Sequence, residues 1–296
     1  MKILITGGNG TVGRVLRAQY EARGDVPVPW NRAAVELDDH WAMANYLDEV
    51  APDRLVHLAI ASKPTGRADE GKLVNVEWPS ALAWLCKERE IAFQFTSTAM
   101  VFTNDAVGPF TLESTPDATE GYGGEKLQAE EQVRFQNAEA QIVRLGWQIG
   151  DAAIGNNMLS FFADRMREDG VVRASRRWLP ACSFLDDTAT TLIALADHAG
   201  PGLFQLDANS RWTFYDIARA VSGRHGDRFR VEPSDDFVYD QRMVDARVRV
   251  VPLEERLPQL ARLTDAGVPD DAADDAANDS GAADTNADDT EAANAS

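Results

Sequence analysis

The chain has 296 residues, 44% of them hydrophobic, so it can bury a large core, and wholesale disorder is excluded. It carries 48 Asp and Glu against 29 Lys and Arg, a formal charge of −19 with no visible basic face, which disfavours nucleic acid as a partner. Only two cysteines, Cys86 and Cys182, exclude a disulfide scaffold and an all-cysteine metal site, and no run of ~18 apolar residues could cross a membrane.

Lys2 to Thr6 is a short apolar strand that turns at once into Gly7-Gly-Asn-Gly-Thr-Val-Gly13, with an amphipathic helix expected from Arg14 to Arg23. An apolar run this short before a glycine turn reads as a buried strand rather than a secretion signal, so the chain reads as cytoplasmic. Val26 to Pro29 predicts a second strand, Trp41 to Val50 a helix, and Arg54 to Ala61 a third buried strand. Leu73 to Glu90 is helical in pattern, Ile91 to Thr96 again a strand, Glu125 to Gln136 a charged helix, and Ala140 to Leu145 a further strand. Strands alternating with helices imply right-handed crossovers and a parallel sheet covered on both faces, a doubly wound α/β (Rossmann) fold.

After about Gly150 the pattern loosens into a helix from Met158 to Glu168, a strand from Leu203 to Leu206 and an N-capped helix from Thr213 to Ser222. The expected organisation is a dinucleotide-binding domain over residues 1–155 and a substrate lobe over 156–264 that returns elements to the sheet near 184–208. A disordered acidic tail follows over 265–296, where ten acids and no Lys or Arg leave nothing to offset ordering entropy by burial. Arg outnumbers Lys 24 to 5 and Asp outnumbers Glu 30 to 18, a bias that suits a salt-rich cytoplasm and predicts a halophilic source.

Gly7, Gly10 and Gly13 form a Gly-x-x-Gly-x-x-Gly turn between the first strand and the first helix. Glycines there allow the tight turn and the approach of backbone to a pyrophosphate, which then meets the free N–H groups of the helix N-terminus. Gly7, Asn9, Gly10 and Gly13 are therefore cofactor candidates. An NAD site usually carries an acid after the second strand, for the ribose 2′-hydroxyl. Here the chain reads Pro29-Trp-Asn-Arg32, and the arginine fork suits a phosphate. That favours NADP(H), with NAD(H) as the alternative and a solvated loop arginine as the plainer reading of Arg32.

Tyr122-Gly-Gly-Glu-Lys126 places a phenol and an ammonium four residues apart at the start of a helix, and the strand ending near Phe95 runs into Thr96-Ser-Thr-Ala-Met-Val-Phe102. Phenol, ammonium and the Thr98 hydroxyl converging at a strand's carboxyl end can run carbonyl reduction. Tyr122 would give the proton, Lys126 would stabilise the phenolate and bind the nicotinamide ribose, and Thr98 would hydrogen-bond the substrate oxygen. His40, His57, His198 and His225 are scattered without ligand spacing, so no metal site is expected, and His57 reads as a satisfied core residue. Phe161, Phe162, Met158 and Met166 read as one core helix face, and Cys182 as a packed thiol. Arg173, Arg176 and Arg177 suit either a nucleotide diphosphate or the solvated surface.

These motifs resemble the extended short-chain dehydrogenase/reductase superfamily and, within it, the dTDP-4-dehydrorhamnose reductase family. The likeness rests on Thr6 to Gly13, Val56-His-Leu-Ala59 with Asn75 downstream, Ser97 to Phe102, Pro109-Phe-Thr-Leu-Glu113 and Tyr122 to Lys126. Arg144-Leu-Gly-Trp147, Gly155-Asn-Asn-Met158 and Gly202 to Leu206 extend it to about residue 222. The resemblance implies Thr98, Tyr122 and Lys126 as catalytic residues, with Gly10, Thr11 and Val12 at the pyrophosphate and Ala59, Ile60, Ala61 and Asn75 beside the nicotinamide half. It also implies Glu36 and Leu37 at the adenine, and Thr98, Ala99, Trp147 and Asn157 at a nucleotide-sugar substrate. A core tryptophan is the plainer reading of Trp147.

The chain departs from the family where Ala99 replaces an Asp, where Ser62-Lys-Pro-Thr-Gly-Arg-Ala68 is shortened, and where Arg144-Leu-Gly-Trp147 replaces Arg-Thr-Ser-Trp. All three changes lie near the sugar. The expected activity is NADP(H)-dependent reduction of a nucleotide-activated 4-keto-6-deoxysugar, feeding polysaccharide assembly. An NAD-dependent nucleotide-sugar epimerase and a non-catalytic regulatory subunit are the alternatives, and a helix-mediated homodimer is the superfamily expectation.

Overall fold

The computed structural model describes residues 1–61, 66–67 and 69–265. The tail beyond Asp265 and Ser62 to Thr65 and Ala68 of the shortened segment lie outside the described residues.

β1 (Lys2–Thr6) leads into α1 (Thr11–Ala22) and β2 (Val26–Pro29), and α2 (His40–Val50) leads into β3 (Arg54–His57). A short α3 (Glu70–Lys72) passes through a π-helical segment, Leu73–Glu77, into α4 (Trp78–Glu88) and then β4 (Ala92–Thr98). α5 (Gly121–Gln136) and β5 (Gln141–Leu145) complete the first half. Beyond them, β6 (Trp147–Ile149), α6 (Met158–Glu168), β7 (Val172–Ser175), β8 (Trp178–Leu179) and β9 (Cys182–Phe184) precede α7 (Leu185–His198) and β10 (Gly202–Leu206). α8 (Phe214–Arg224), β11 (Val231–Ser234) and β12 (Tyr239–Asp240) follow.

Six parallel strands form the main sheet in the order β2-β1-β3-β4-β5-β10. The order reverses between β1 and β3, which makes the crevice at their carboxyl ends the topological switch point where such sheets bind ligands. β2 is the sheet edge, and its Pro27 and Pro29, which lack ladder donors, are compatible with that place. Alternation along β1 divides the core: Leu4 joins the cluster under α2 and α4, while Ile3 and Ile5 join the cluster beneath α1 and α7. The Gln94 amide donates to Gln141 Oε1 and to Leu192 O, both at 3.0 Å, tying α7 to the sheet. A second core, built around Phe162, Val172, Phe214 and Ile217, fills the lobe, where β7 pairs β11, β8 pairs β12 and β6 pairs β9. No helix among the described residues is long and apolar enough to cross a membrane.

Several boundaries differ from the sequence reading, among them the start of α1, at Thr11 rather than Arg14. The third strand stops at His57 instead of Ala61. The helix expected from Leu73 begins at Glu70 and carries the π-helical segment, which includes Asn75. α5 begins at Gly121 rather than Glu125 because its glycines serve proximity and not helix propensity: a Cβ on Gly123 would sit 2.1 Å from Met100 O. That approach brings the Tyr122 turn against the segment that follows Thr98.

Candidate active site

The switch-point crevice starts with the glycine turn. Gly10 N–H donates to Gly7 O at 2.8 Å, and Gly7 adopts a φ of +65°, the left-handed region open to glycine. A Cβ on Gly13 would lie 2.2 Å from Gly7 O, so close packing of α1 on the turn requires glycine there. α1 has Gly10 at its N-cap, no capping side chain and no acid in its first turn, which leaves its first N–H groups for an anion. Gly13→Ala is accordingly expected to weaken NADPH binding at least ~10-fold, measured by calorimetric titration; unchanged affinity would show that no cofactor uses this turn.

The loop after β3 packs directly on the turn, since a Cβ on Gly7 would sit 2.8 Å from Ala59 N. Thr6 Oγ1 accepts the N–H groups of Leu58 and Ala59, while Ile60 and Ala61 are half-buried at the same edge. Asn75 accepts Ala61 N–H at 3.0 Å and donates to Glu125 at 2.7 Å. Its amide ties the loop to α5 at the edge of the crevice where the cofactor contact is expected from the sequence. Thr11 Oγ1 accepts Asn156 N–H at 2.9 Å, folding the segment after β6 across the turn, and Val12 packs partly buried on the core. Arg32 and Glu36 are exposed near the end of β2, the Arg32 guanidinium 5.9 Å from the Trp78 ring centroid. Leu37 is a buried core side chain, so its expected contact with adenine is not available to the side chain.

Thr98 ends β4, and its Oγ1 accepts Met100 N–H at 3.2 Å, leaving its own proton free to donate. Tyr122 stands half-buried in the first turn of α5. One turn on, Lys126 is 1% exposed, with Nζ 4.0 Å from the Phe95 ring centroid and no hydrogen-bond partner among the described residues. Burial pushes its pKa down to about 7, with Glu130 and Glu125 pulling the other way. The Tyr122 phenol is pushed up, by burial and by the Glu125 carboxylate. The Lys126 ammonium, expected to stabilise the phenolate, lies over Phe95 and is itself desolvated.

His57 departs from expectation too. It is fully buried between Trp78 and Phe95, at centroid distances of 5.0 and 5.8 Å, and neither ring nitrogen has a partner among the described residues. It is a core residue but not a satisfied one, because aromatic rings offer it no acceptor; burial and the nearby Lys126 hold its pKa well below the usual value.

On the lobe side, Trp147 is half-buried in an aromatic cluster, stacked on Trp178 at 5.8 Å and edge-on to Phe161 at 5.4 Å. Ala99 is buried against Ala181 and Met243, so it forms wall instead of open surface. Asn157 caps α6 by accepting Ser160 N–H and donates to Ala152 O and Ile154 O. Its side-chain amide thus serves to cap α6 and hold the segment before it. Sequence reasoning missed Asp207, which accepts N–H groups of Cys182, Asn209 and Met243 and so staples three segments beside the Ala99 wall. Cys182 is buried. Arg173, Arg176 and Arg177 are exposed, Arg176 and Arg219 both lying 5.7 Å from the Tyr215 ring. Among the described residues no group of three or more His, Cys, Asp or Glu is placed to hold a metal ion.

Residues 1–247 match the RmlD substrate binding domain family. The chain belongs to that family. A relative from Streptomyces niveus, a dTDP-4-keto-6-deoxy-D-glucose reductase, is 26% identical over 240 residues, which cover 78% of this chain and 82% of that one. A probable low-salt glycan biosynthesis reductase of Haloferax volcanii is 25% identical over 237 residues, 75% of this chain and 79% of that one. Among solved structures, a dTDP-4-dehydrorhamnose reductase of Clostridium acetobutylicum superposes with a TM-score of 0.76 at 22% identity, covering 90% of this chain and 100% of that one. A Bacillus anthracis dTDP-4-dehydrorhamnose reductase in complex with NADP superposes with a TM-score of 0.73 at 16% identity, covering 90% and 99%. These structural likenesses establish the fold, whose six-stranded parallel sheet this RmlD family chain shares with them.

Proposed function

We propose that this chain is an NADP(H)-dependent reductase of a nucleotide-activated 4-keto-6-deoxysugar. The observation that carries the reading is the buried Lys126 Nζ without an acceptor, one helical turn beyond Tyr122 and joined through Asn75 and Glu125 to the loop that packs on the glycine turn. A desolvated ammonium with no partner fits ribose hydroxyls supplied by a bound dinucleotide. The free α1 N–H groups fit its pyrophosphate, and the acid-free end of β2 fits NADP(H) better than NAD(H). The names of the relatives support a keto-deoxysugar on a nucleotide as substrate.

The dinucleotide, when bound, supplies the hydride. Thr98 donates its free hydroxyl proton to the carbonyl oxygen and holds it facing Tyr122. Tyr122 then passes its proton to that oxygen as negative charge builds there, and Lys126 stabilises the phenolate left behind. Asn156, held on Thr11, anchors the segment after β6 at the turn.

The test follows NADPH absorbance against a panel of dTDP- and UDP-linked 4-ketosugars, with product analysis. Stoichiometric oxidation with one ketosugar is expected. Purified protein that carries bound NAD and interconverts epimers with no net NADPH oxidation would install the epimerase reading instead.

A further inference from the structure

Burial pushes the Lys126 ammonium down to about 7, and two acids of α5, Glu130 and Glu125, oppose it. Glu130 pulls harder, but its charge is already met: the Arg144 guanidinium of β5 takes both its oxygens, from Nε at 2.9 Å and from Nη2 at 2.8 Å. Glu125 has a neutral partner instead. Its Oε2 accepts the Asn75 amide of the π-helical segment at 2.7 Å, and among the described residues no cation pairs with it. Asn75 is 2% exposed and is itself fixed, since it accepts Ala61 N–H at 3.0 Å. α3 makes room for the carboxylate: a Cβ on Gly71 would sit 2.5 Å from Glu125 Oε1 and 3.1 Å from Oε2. Gly71 has no left-handed φ, so its missing side chain serves space. The other titratable groups on the elements packed here are His57 of β3, neutral and dry, and Glu70, Lys72 and Glu77, of which Lys72 and Glu77 pair at 3.5 Å.

We propose that Glu125 is a positioning residue for the reduction: seated by Asn75 in the gap at Gly71, its carboxylate keeps the Lys126 ammonium charged for the ribose of the dinucleotide and the Tyr122 phenol protonated for the carbonyl. The inference rests on the reading that Tyr122 and Lys126 serve a bound dinucleotide and a ketosugar. A buried ammonium with no acceptor sheds its proton easily, and a carboxylate bonded to it would prevent that but would occupy the donors the ribose needs. Asn75 resolves the conflict by holding the carboxylate to itself. The negative charge stays within the turn that runs from Tyr122 to Lys126, while Nζ has no acceptor among the described residues. The same charge adds to burial in raising the phenol, so one group acts on both members of the pair. Sequence reading passed over Glu125, because adjacent positions on a helix do not face each other and its partners lie 50 and more residues earlier, at Asn75 and Gly71.

The test uses the full chain at one fixed salt concentration and follows two quantities from pH 6 to pH 8.5: NADPH affinity by calorimetry, and kcat/KM for NADPH with a ketosugar that turns over. Glu125→Gln keeps the size and an oxygen for the Asn75 amide but removes the charge. Loss of a neighbouring negative charge lowers the pKa of a lysine, so the alkaline fall of both quantities should begin about one pH unit earlier in the variant. The variant is expected within about twofold of wild type at pH 6 and ~10-fold below it at pH 8. Glu125→Asp, which keeps the charge, should fall at a pH close to wild type. Glu131→Gln, the same charge loss at an exposed site on α5, should move neither profile. An alkaline fall that stays in place in Glu125→Gln overturns the proposal. So does a loss of equal size at every pH, which would make Glu125 a structural tie only. A shifted affinity profile with no turnover of any ketosugar keeps the hold of Glu125 on Lys126 and sinks the reductase reading, whereas NADPH that binds at no pH sinks both.

Discussion

Tyr122→Phe is expected to lower ketosugar turnover by about 10³-fold while NADPH still binds. The substitution removes one oxygen and leaves the ring to fill the same half-buried place at the start of α5. Binding survives because the groups that fit the dinucleotide are elsewhere: the glycine turn, the free N–H groups of α1 and the Lys126 ammonium. Thr98 remains able to polarise the carbonyl but cannot deliver a proton with the same ease, its hydroxyl being a far weaker acid than a phenol. Burial and Glu125 raise the phenol's pKa, so the donor is protonated across the neutral range. Turnover of the Phe variant within tenfold of wild type, with an unchanged thermal transition, would leave the phenol no chemical role.

The parts of the site legible in the sequence are those written in short spacings. Gly7, Gly10 and Gly13 follow an apolar strand directly, and Tyr122 and Lys126 lie one helical turn apart, so each motif carries its own local geometry. What was not legible depends on partners distant along the chain. α5 starts at Gly121 because Gly123 must clear Met100 O, a contact that helix propensity cannot register. The role of Asn157 as N-cap of α6 shows only once the helix start is placed. Asp207 gathers donors from Cys182 and Met243, residues far apart in sequence, and nothing near it announces that role. The reversal of strand order between β1 and β3 is likewise a property of the assembled sheet. His57 shows the limit most plainly: an apolar strand predicts burial, yet only the neighbouring rings of Trp78 and Phe95 reveal that its nitrogens are dry.

Lys126→Met is expected to abolish reduction and, in the same protein without cofactor, to raise stability. In the wild type the ammonium is buried over Phe95 without an acceptor, and its pKa is pushed from 10.5 down to about 7. Between those two values the unfolded chain binds a proton that the native protein does not, so native stability rises as pH climbs from about 7 towards about 10.5. Below about 7 both states are protonated and the cost of the buried charge is fully present. A methionine keeps most of the volume and removes that charge, which should stabilise the cofactor-free protein by about 2–4 kcal/mol at pH 6. For a chain of this size that corresponds to a rise in Tm of roughly 5–10 °C. The gain should shrink as pH rises, because the wild type recovers while the variant has nothing left to titrate at this position. NADP(H) should stabilise the wild type more than the variant, since ribose oxygens complete the lysine and not the methionine. Comparing thermal transitions of the two proteins at pH 6 and pH 9, with and without NADPH, separates these contributions from the titration of the rest of the acidic surface. A variant less stable than wild type at pH 6, with the same pH slope, would mean that Lys126 is already paired in the empty site and is not held ready for a ligand.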